Sequence, residues 1–123
     1  MIKVLVCGGR DYQDKDRVFD ILDQLHKKHQ IVQIIHGVCP GADLLGETWA
    51  KDRQIAYLGI PAKWATEGRS AGPIRNQRML DEGVPDIVVA FPGNRGTEGM
   101  IRLAEKAGVK VQRVDNDADK EMS

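Results

Sequence analysis

Ile87-Val88-Val89-Ala90-Phe91-Pro92-Gly93-Asn94-Arg95-Gly96-Thr97 is the stretch on which the reading of this chain turns. Its first five residues form a continuous apolar run, the pattern of a strand buried on both faces. The run stops in a loop carrying two glycines, an Arg and a Thr, and a helix-like pattern begins directly after it. A strand that delivers such a loop builds an anion site from backbone. Glycines let the main chain approach a phosphate, and the start of a helix points N–H groups at it. Nucleotide or phosphate binding is therefore the leading expectation.

Outward from this stretch, short β-branched runs alternate with helical patterns. Residues 2–6 read as a strand, and 14–29 as an amphipathic helix with Val18, Leu22 and Leu25 on one stripe. A second strand is expected over 31–35, then a helix over 41–53 with Leu44, Leu45, Thr48 and Trp49 able to face a sheet. Residues 55–60 read as a third strand, broken by Gly59 and closed by Pro61. The polar segment 63–72 reads as irregular. Pro73 suits a first helical turn, so a helix is expected over 73–82. A strand over 87–91, a helix over 97–107 ending at Gly108, and a strand over 109–114 complete the series.

This alternation predicts an α/β fold: a Rossmann-like three-layer sandwich with a parallel five-stranded sheet and strand order 3-2-1-4-5. One domain is expected over 1–114. The polar segment 115–123 reads as a frayed tail.

The bulk numbers exclude several classes of function. Lys+Arg and Asp+Glu both total 18 in 123 residues, so net charge gives no push toward nucleic acid or an anionic membrane. Two Phe, two Tyr and two Trp leave little for stacking a nucleic-acid strand. The apolar run at the start is too short for a signal peptide, and none approaches the length of a membrane span. Cys7 and Cys39 lack metal-ligand spacing and read as two reduced thiols of a cytoplasmic protein. Neither a metal nor a cofactor is expected.

The expected strand order has a consequence for function. In such sheets ligands sit at the carboxyl ends of the strands where the order reverses, here between the first and fourth. The loops Gly8-Gly9-Arg10-Asp11 and Pro92-Gly93-Asn94-Arg95-Gly96-Thr97 should be neighbours there. The loop with Gly37, Gly41 and Asp43 lies on the same rim. Arg10 and Arg95 stand in the switch-point loops, while Arg75 and Arg78 lie three apart on one helix. Arginines hold phosphate oxygens through paired hydrogen bonds, or alternatively pair with Asp11, Asp81 and Glu82. Asp11 either orients Arg10 or contacts a ribose, and Asp43 either lines the rim or caps its helix. His36 reads as a packed histidine rather than a base, and Trp49 as core. Trp64 either packs against the fold or stacks on a base. Neither GxGxxG nor GxxxxGK[ST] is present, which argues against a dinucleotide-dependent dehydrogenase and a P-loop hydrolase.

Four segments carry a family resemblance: 6–12, 36–43, 71–79 and 92–97, with Val6-Cys7-Gly8-Gly9-Arg10-Asp11-Tyr12 and Arg75-Asn76-Gln77-Arg78-Met79 the most distinctive. Together they resemble the SLOG superfamily, the Rossmann-like group that includes the LOG and DprA/Smf proteins, and most closely its YspA/YpsA-related branch. The resemblance spans nearly the whole of residues 2–114. It implies a pocket for a nucleotide or nucleotide-derived ligand, such as an ADP-ribose-like molecule, and a homodimer or higher oligomer. LOG enzymes hydrolyse the N-glycosidic bond of nucleoside 5′-monophosphates. In that alternative Arg75 takes the phosphate and Glu98 supplies the carboxylate. The family's carboxylate, however, falls at the position of Gly99. One residue along a helix turns a side chain by about 100°, so Glu98 is expected to point elsewhere and binding is favoured over catalysis.

Overall fold

The computed structural model describes residues 1–115. The expected frayed segment, beyond its first residue Asp115, lies outside the described residues. Five strands, β1 (Ile2–Cys7), β2 (Ile31–His36), β3 (Ala56–Gly59), β4 (Ile87–Ala90) and β5 (Lys110–Arg113), form one sheet. The sheet is entirely parallel, with order β3-β2-β1-β4-β5. The helices are α1 (Lys15–His29), α2 (Ala42–Asp52), α3 (Trp64–Glu67), α4 (Ala71–Gly83) and α5 (Arg95–Lys106). The expected α/β sandwich and its strand order are both found.

Burial explains the order. Val4 to Cys7 of β1 and all four residues of β4 are buried, as a strand covered on both faces requires. The edge strands β3 and β5 have no fully buried residue. On one face Val4, Val6, Ile34 and Val89 pack with Val18, Leu22 and Trp49 of α1 and α2. On the other, Leu5, Ile35 and Val88 pack with Met79 of α4 and Met100 and Ala104 of α5. Asp23 fastens the first layer. It accepts hydrogen bonds from the buried Trp49 Nε1 at 2.8 Å and from Arg53 Nε and Nη2 at 3.0 and 2.8 Å.

Several boundaries differ from expectation. Residues 63–72 are not irregular: they form α3, a 3-10 turn over Gly68–Ser70, and the start of α4. Helix α4 begins two residues before Pro73, which the first turn tolerates because N–H groups there have no helical acceptor. Helix α5 begins at Arg95 rather than residue 97. The Asn94 side chain caps it by accepting the Gly96 N–H at 3.2 Å. Strand β3 is also shorter than expected, at Ala56–Gly59. No helix among the described residues is long and apolar enough to cross a membrane.

Candidate functional site

The three glycine loops meet at the carboxyl ends of β1, β2 and β4. The Gly9 N–H donates to the Pro92 carbonyl at 2.9 Å, joining the first loop to the fourth-strand loop. The Gly9 carbonyl accepts from Ala42 N at 3.3 Å, joining it to the start of α2. Gly41 makes that approach feasible. Its φ is +84°, and a side chain there would run into the Gly9 carbonyl.

The loop after β2 is held by side chains. Asp43 does not cap α2; its Oδ2 accepts the Gly37 N–H at 2.7 Å. Arg75 Nη1 donates to the Gly37 carbonyl at 2.6 Å, and Arg75 Nε donates to Asn76 Oδ1 at 2.9 Å. A side chain at position 37 would collide with the Arg75 guanidinium, so this contact needs glycine. His36 is fully buried. Its Nδ1 accepts the Val38 N–H at 3.1 Å, which leaves the ring proton on Nε2, 2.9 Å from Glu47 Oε1. These ties hold Val38 at φ +60°, a conformation that costs a β-branched residue roughly 1–2 kcal/mol.

Beside these loops a cleft of about 590 Å³ opens between α4 and α5. Gly8, Arg10, Asp43, Arg75, Asn94, Arg95, Gly96 and Thr97 line it. The structure thus gathers eight of the expected binding residues. Others support rather than line: Gly9, Gly37 and Gly41 hold the loops together. Pro92 and Gly93 belong instead to a smaller cavity of about 300 Å³ that also touches Thr97 and Glu98. Asp11 lies outside both linings.

Two expected residues are committed elsewhere. Arg78 turns away from the cleft and pairs with Glu67, Nη2 to Oε2 at 2.5 Å. Glu67 belongs to α3, in the segment expected to be irregular. Glu98 pairs with Arg113 at 3.0 Å, and that hydrogen bond holds its carboxyl below the usual carboxylate range. The neighbouring residue Gly99 does line the cleft, and a Cβ there would meet nothing within 4 Å. The helical rotation separates the two positions as expected.

The cleft carries residues that the sequence reading did not single out as binding residues. Cys7, Cys39, Asn76, Met79, Met100, Arg102, Leu103 and Lys106 all line it, beside Trp64, the candidate for stacking on a base. A signal existed for the α5 group: Arg95, Gly99, Arg102 and Lys106 are spaced four, three and four apart, one face of a helix. The side chains of Arg10, Arg95, Arg102 and Lys106 make no hydrogen bond or ion pair to the described residues. Among the described residues the one carboxylate lining the cleft is Asp43, whose pKa burial raises against the opposing pull of the Gly37 N–H. Burial also pushes the Cys7 thiol well above its ordinary range, so Cys7 is an apolar wall and not a nucleophile. No cluster of metal-ligating side chains occurs among the described residues.

Residues 2–66 match the sequence pattern of the YspA, cpYpsA-related SLOG family. The chain belongs to this family. It is also similar to the Gene 61 protein of Mycobacterium phage D29, 37% identical over 119 residues, covering 90% of this chain and 94% of the relative. Among solved structures it is similar to DNA processing protein A (DprA) from Streptococcus pneumoniae. The TM-score is 0.76 at 16% identity, over 94% of this chain and 51% of the other. This chain therefore spans about half of DprA, and at that identity the likeness speaks for the fold. In this SLOG domain the family's glycine loops frame the cleft, while Gly37, Arg75 and Asp43 lock the loop after β2.

Proposed function

We propose that this SLOG domain binds a nucleotide or nucleotide-derived ligand in the cleft, sensing or sequestering it. Its phosphate would rest on Gly8 and Arg10 and on the start of α5. One observation carries the reading. Four cations whose side chains make no hydrogen bond or ion pair to the described residues share the cleft with a helix N-terminus, and the one carboxylate among its described lining residues is already tied to Gly37. Oriented N–H groups and free guanidinium groups form a complementary setting for a phosphate. A volume of about 590 Å³ suits a ligand of that size.

Hydrolysis of a glycosidic bond would need a carboxylate beside the ribosyl carbon. Glu98 faces Arg113, and Asp43 is occupied by a backbone N–H, so binding without hydrolysis is the better-supported reading.

Calorimetry against a panel of nucleoside mono- and diphosphates tests the proposal. Arg10→Ala and Arg95→Ala should each weaken the best ligand about tenfold, given that a charge-assisted hydrogen bond contributes ~1.5–3 kcal/mol. Absence of binding to every phosphorylated nucleoside, or unchanged affinity in the double variant, would overturn it. A homodimer in a cytoplasmic setting remains part of the proposal, and light scattering tests the dimer.

A further inference from the structure

The two tryptophans live in opposite circumstances. Trp49 is fully buried, donates its indole N–H to Asp23, and meets the His26 ring edge-on at 5.7 Å between centroids. Trp64 is 52% exposed. Among the described residues, no ring packs on it, no cation lies over it, and its indole N–H has no acceptor. A single exposed aromatic side chain is ordinary in itself. This one lines the cleft that also holds the unpaired cations.

Trp64 opens α3, a four-residue helix that the Glu67–Arg78 pair fastens to α4. The Cη2 edge of its ring is 3.5 Å from where a Gly72 Cβ would stand, at the first turn of α4. The ring thus stands beside the first turn of the next helix. Pro73, Met79 and Leu103 add apolar surface to the same cleft. The site therefore offers charge for an anionic group and a flat apolar face for an aromatic one.

We propose that Trp64 is the base-reading residue of this cleft: it stacks on the base of a purine nucleotide whose phosphate sits at Arg10 and the start of α5. The inference rests on the nucleotide-binding reading and deepens it. Stacking on an indole tolerates any base, and the bicyclic purines overlap it most. The exposed indole N–H provides a hydrogen-bond donor at the ring's rim.

The experiment compares a purine nucleotide, AMP, with a pyrimidine nucleotide, UMP, and with ribose 5-phosphate, which carries the phosphate without a base. Calorimetry is run on wild type, Trp64→Ala, Trp64→Phe and Arg95→Ala. Because Trp49 is fully buried, quenching of the exposed tryptophan fluorescence reports contact with Trp64 directly. AMP should bind more tightly than UMP and quench the emission. Trp64→Ala should weaken AMP roughly 5- to 100-fold, the range set by base–aromatic stacking, and leave ribose 5-phosphate unchanged. Trp64→Phe should recover most of the loss. Unchanged AMP affinity in Trp64→Ala, with Arg95→Ala still impaired, overturns the role of Trp64 and leaves the binding reading standing. Equal losses for AMP and ribose 5-phosphate in Trp64→Ala also overturn it, because they mark a structural role for the ring. Failure of wild type to bind any of the three overturns both.

Discussion

Arg75 donates from Nη1 to the carbonyl of Gly37 at 2.6 Å, joining α4 to the loop after β2 across 38 residues of sequence. Its Nε is held by Asn76 Oδ1, and Cys39 Sγ stands 3.6 Å from Nη1. Nη2 has no hydrogen-bond partner among the described residues. The arginine that most resembles a phosphate ligand in sequence is first a strut of the loop, with one nitrogen left for a ligand.

Arg75→Ala should therefore lower stability by about 2–3 kcal/mol, because buried groups of Gly37 and Asn76 lose their partner. Arg75→Lys should recover little, since an ammonium cannot reproduce the forked contacts. Urea unfolding followed by circular dichroism measures both. A loss below about 0.5 kcal/mol in the alanine variant, the size of an ordinary surface change, would contradict the strut.

Gly99 separates stability from binding. Gly99→Ala should stabilise the domain by about 0.5–1 kcal/mol, because glycine inside a helix is unfavourable and the space at this Cβ is open. Gly99→Glu should retain the fold but weaken nucleotide binding about tenfold, by placing a negative charge in the cleft beside the phosphate. Thermal melts and calorimetry on the same samples check the two effects. Assaying Gly99→Glu for free base released from AMP tests whether the missing carboxylate is what separates this cleft from a hydrolase.

Asp23 should contribute to stability against acid. Its hydrogen bond to Arg53 lowers its pKa, so it contributes stability above its unfolded-state pKa. That contribution is lost as pH falls through the lower, folded-state value. Asp23→Ala should cost about 1–3 kcal/mol near neutrality, mainly by leaving the buried Trp49 N–H without an acceptor. The variant should also show a flatter decline in unfolding free energy between neutral and acid pH. Urea titrations across that range measure it.

Asp43 has the opposite sign. Burial raises its folded-state pKa, so its ionisation weakens the fold as pH rises through that raised value, and the effect is absent below the unfolded pKa. Asp43→Asn keeps an oxygen for the Gly37 N–H and removes the titration. Its stability should fall less than that of the wild type as pH rises out of the acid range. An unchanged pH slope would show that Asp43 is not the group responsible.

The two outer cations of α5 test the charge of the cleft apart from its backbone. Arg102→Ala and Lys106→Ala should each weaken nucleotide binding a few-fold, with melting temperatures close to wild type because both side chains are exposed. Glu98→Gln should leave affinity unchanged, because Glu98 faces Arg113 and the smaller cavity. Calorimetry at two salt concentrations distinguishes charge from packing, since exposed charges are screened.

What the sequence determined by itself is the chain's local grammar. Buried runs such as Val4 to Cys7 mark central strands, glycine loops follow three of them, and their alternation with helices favours the order 3-2-1-4-5 that the sheet adopts. The resemblance to LOG enzymes marks Gly99 as the position of their carboxylate, and helical rotation, which depends on near neighbours alone, separates Glu98 from it. The tertiary structure decided which charges remain free. Arg78 and Glu98 looked like site residues until folding brought Glu67 and Arg113 within hydrogen-bond distance. Arg102 and Lys106 read as ordinary surface residues, and Trp64 as either packed or stacking, until α3, α4 and α5 placed them around one cleft. Hydrogen bonds and ion pairs act over about 3–4 Å. Their partners lie far along the chain, so no local pattern specifies them.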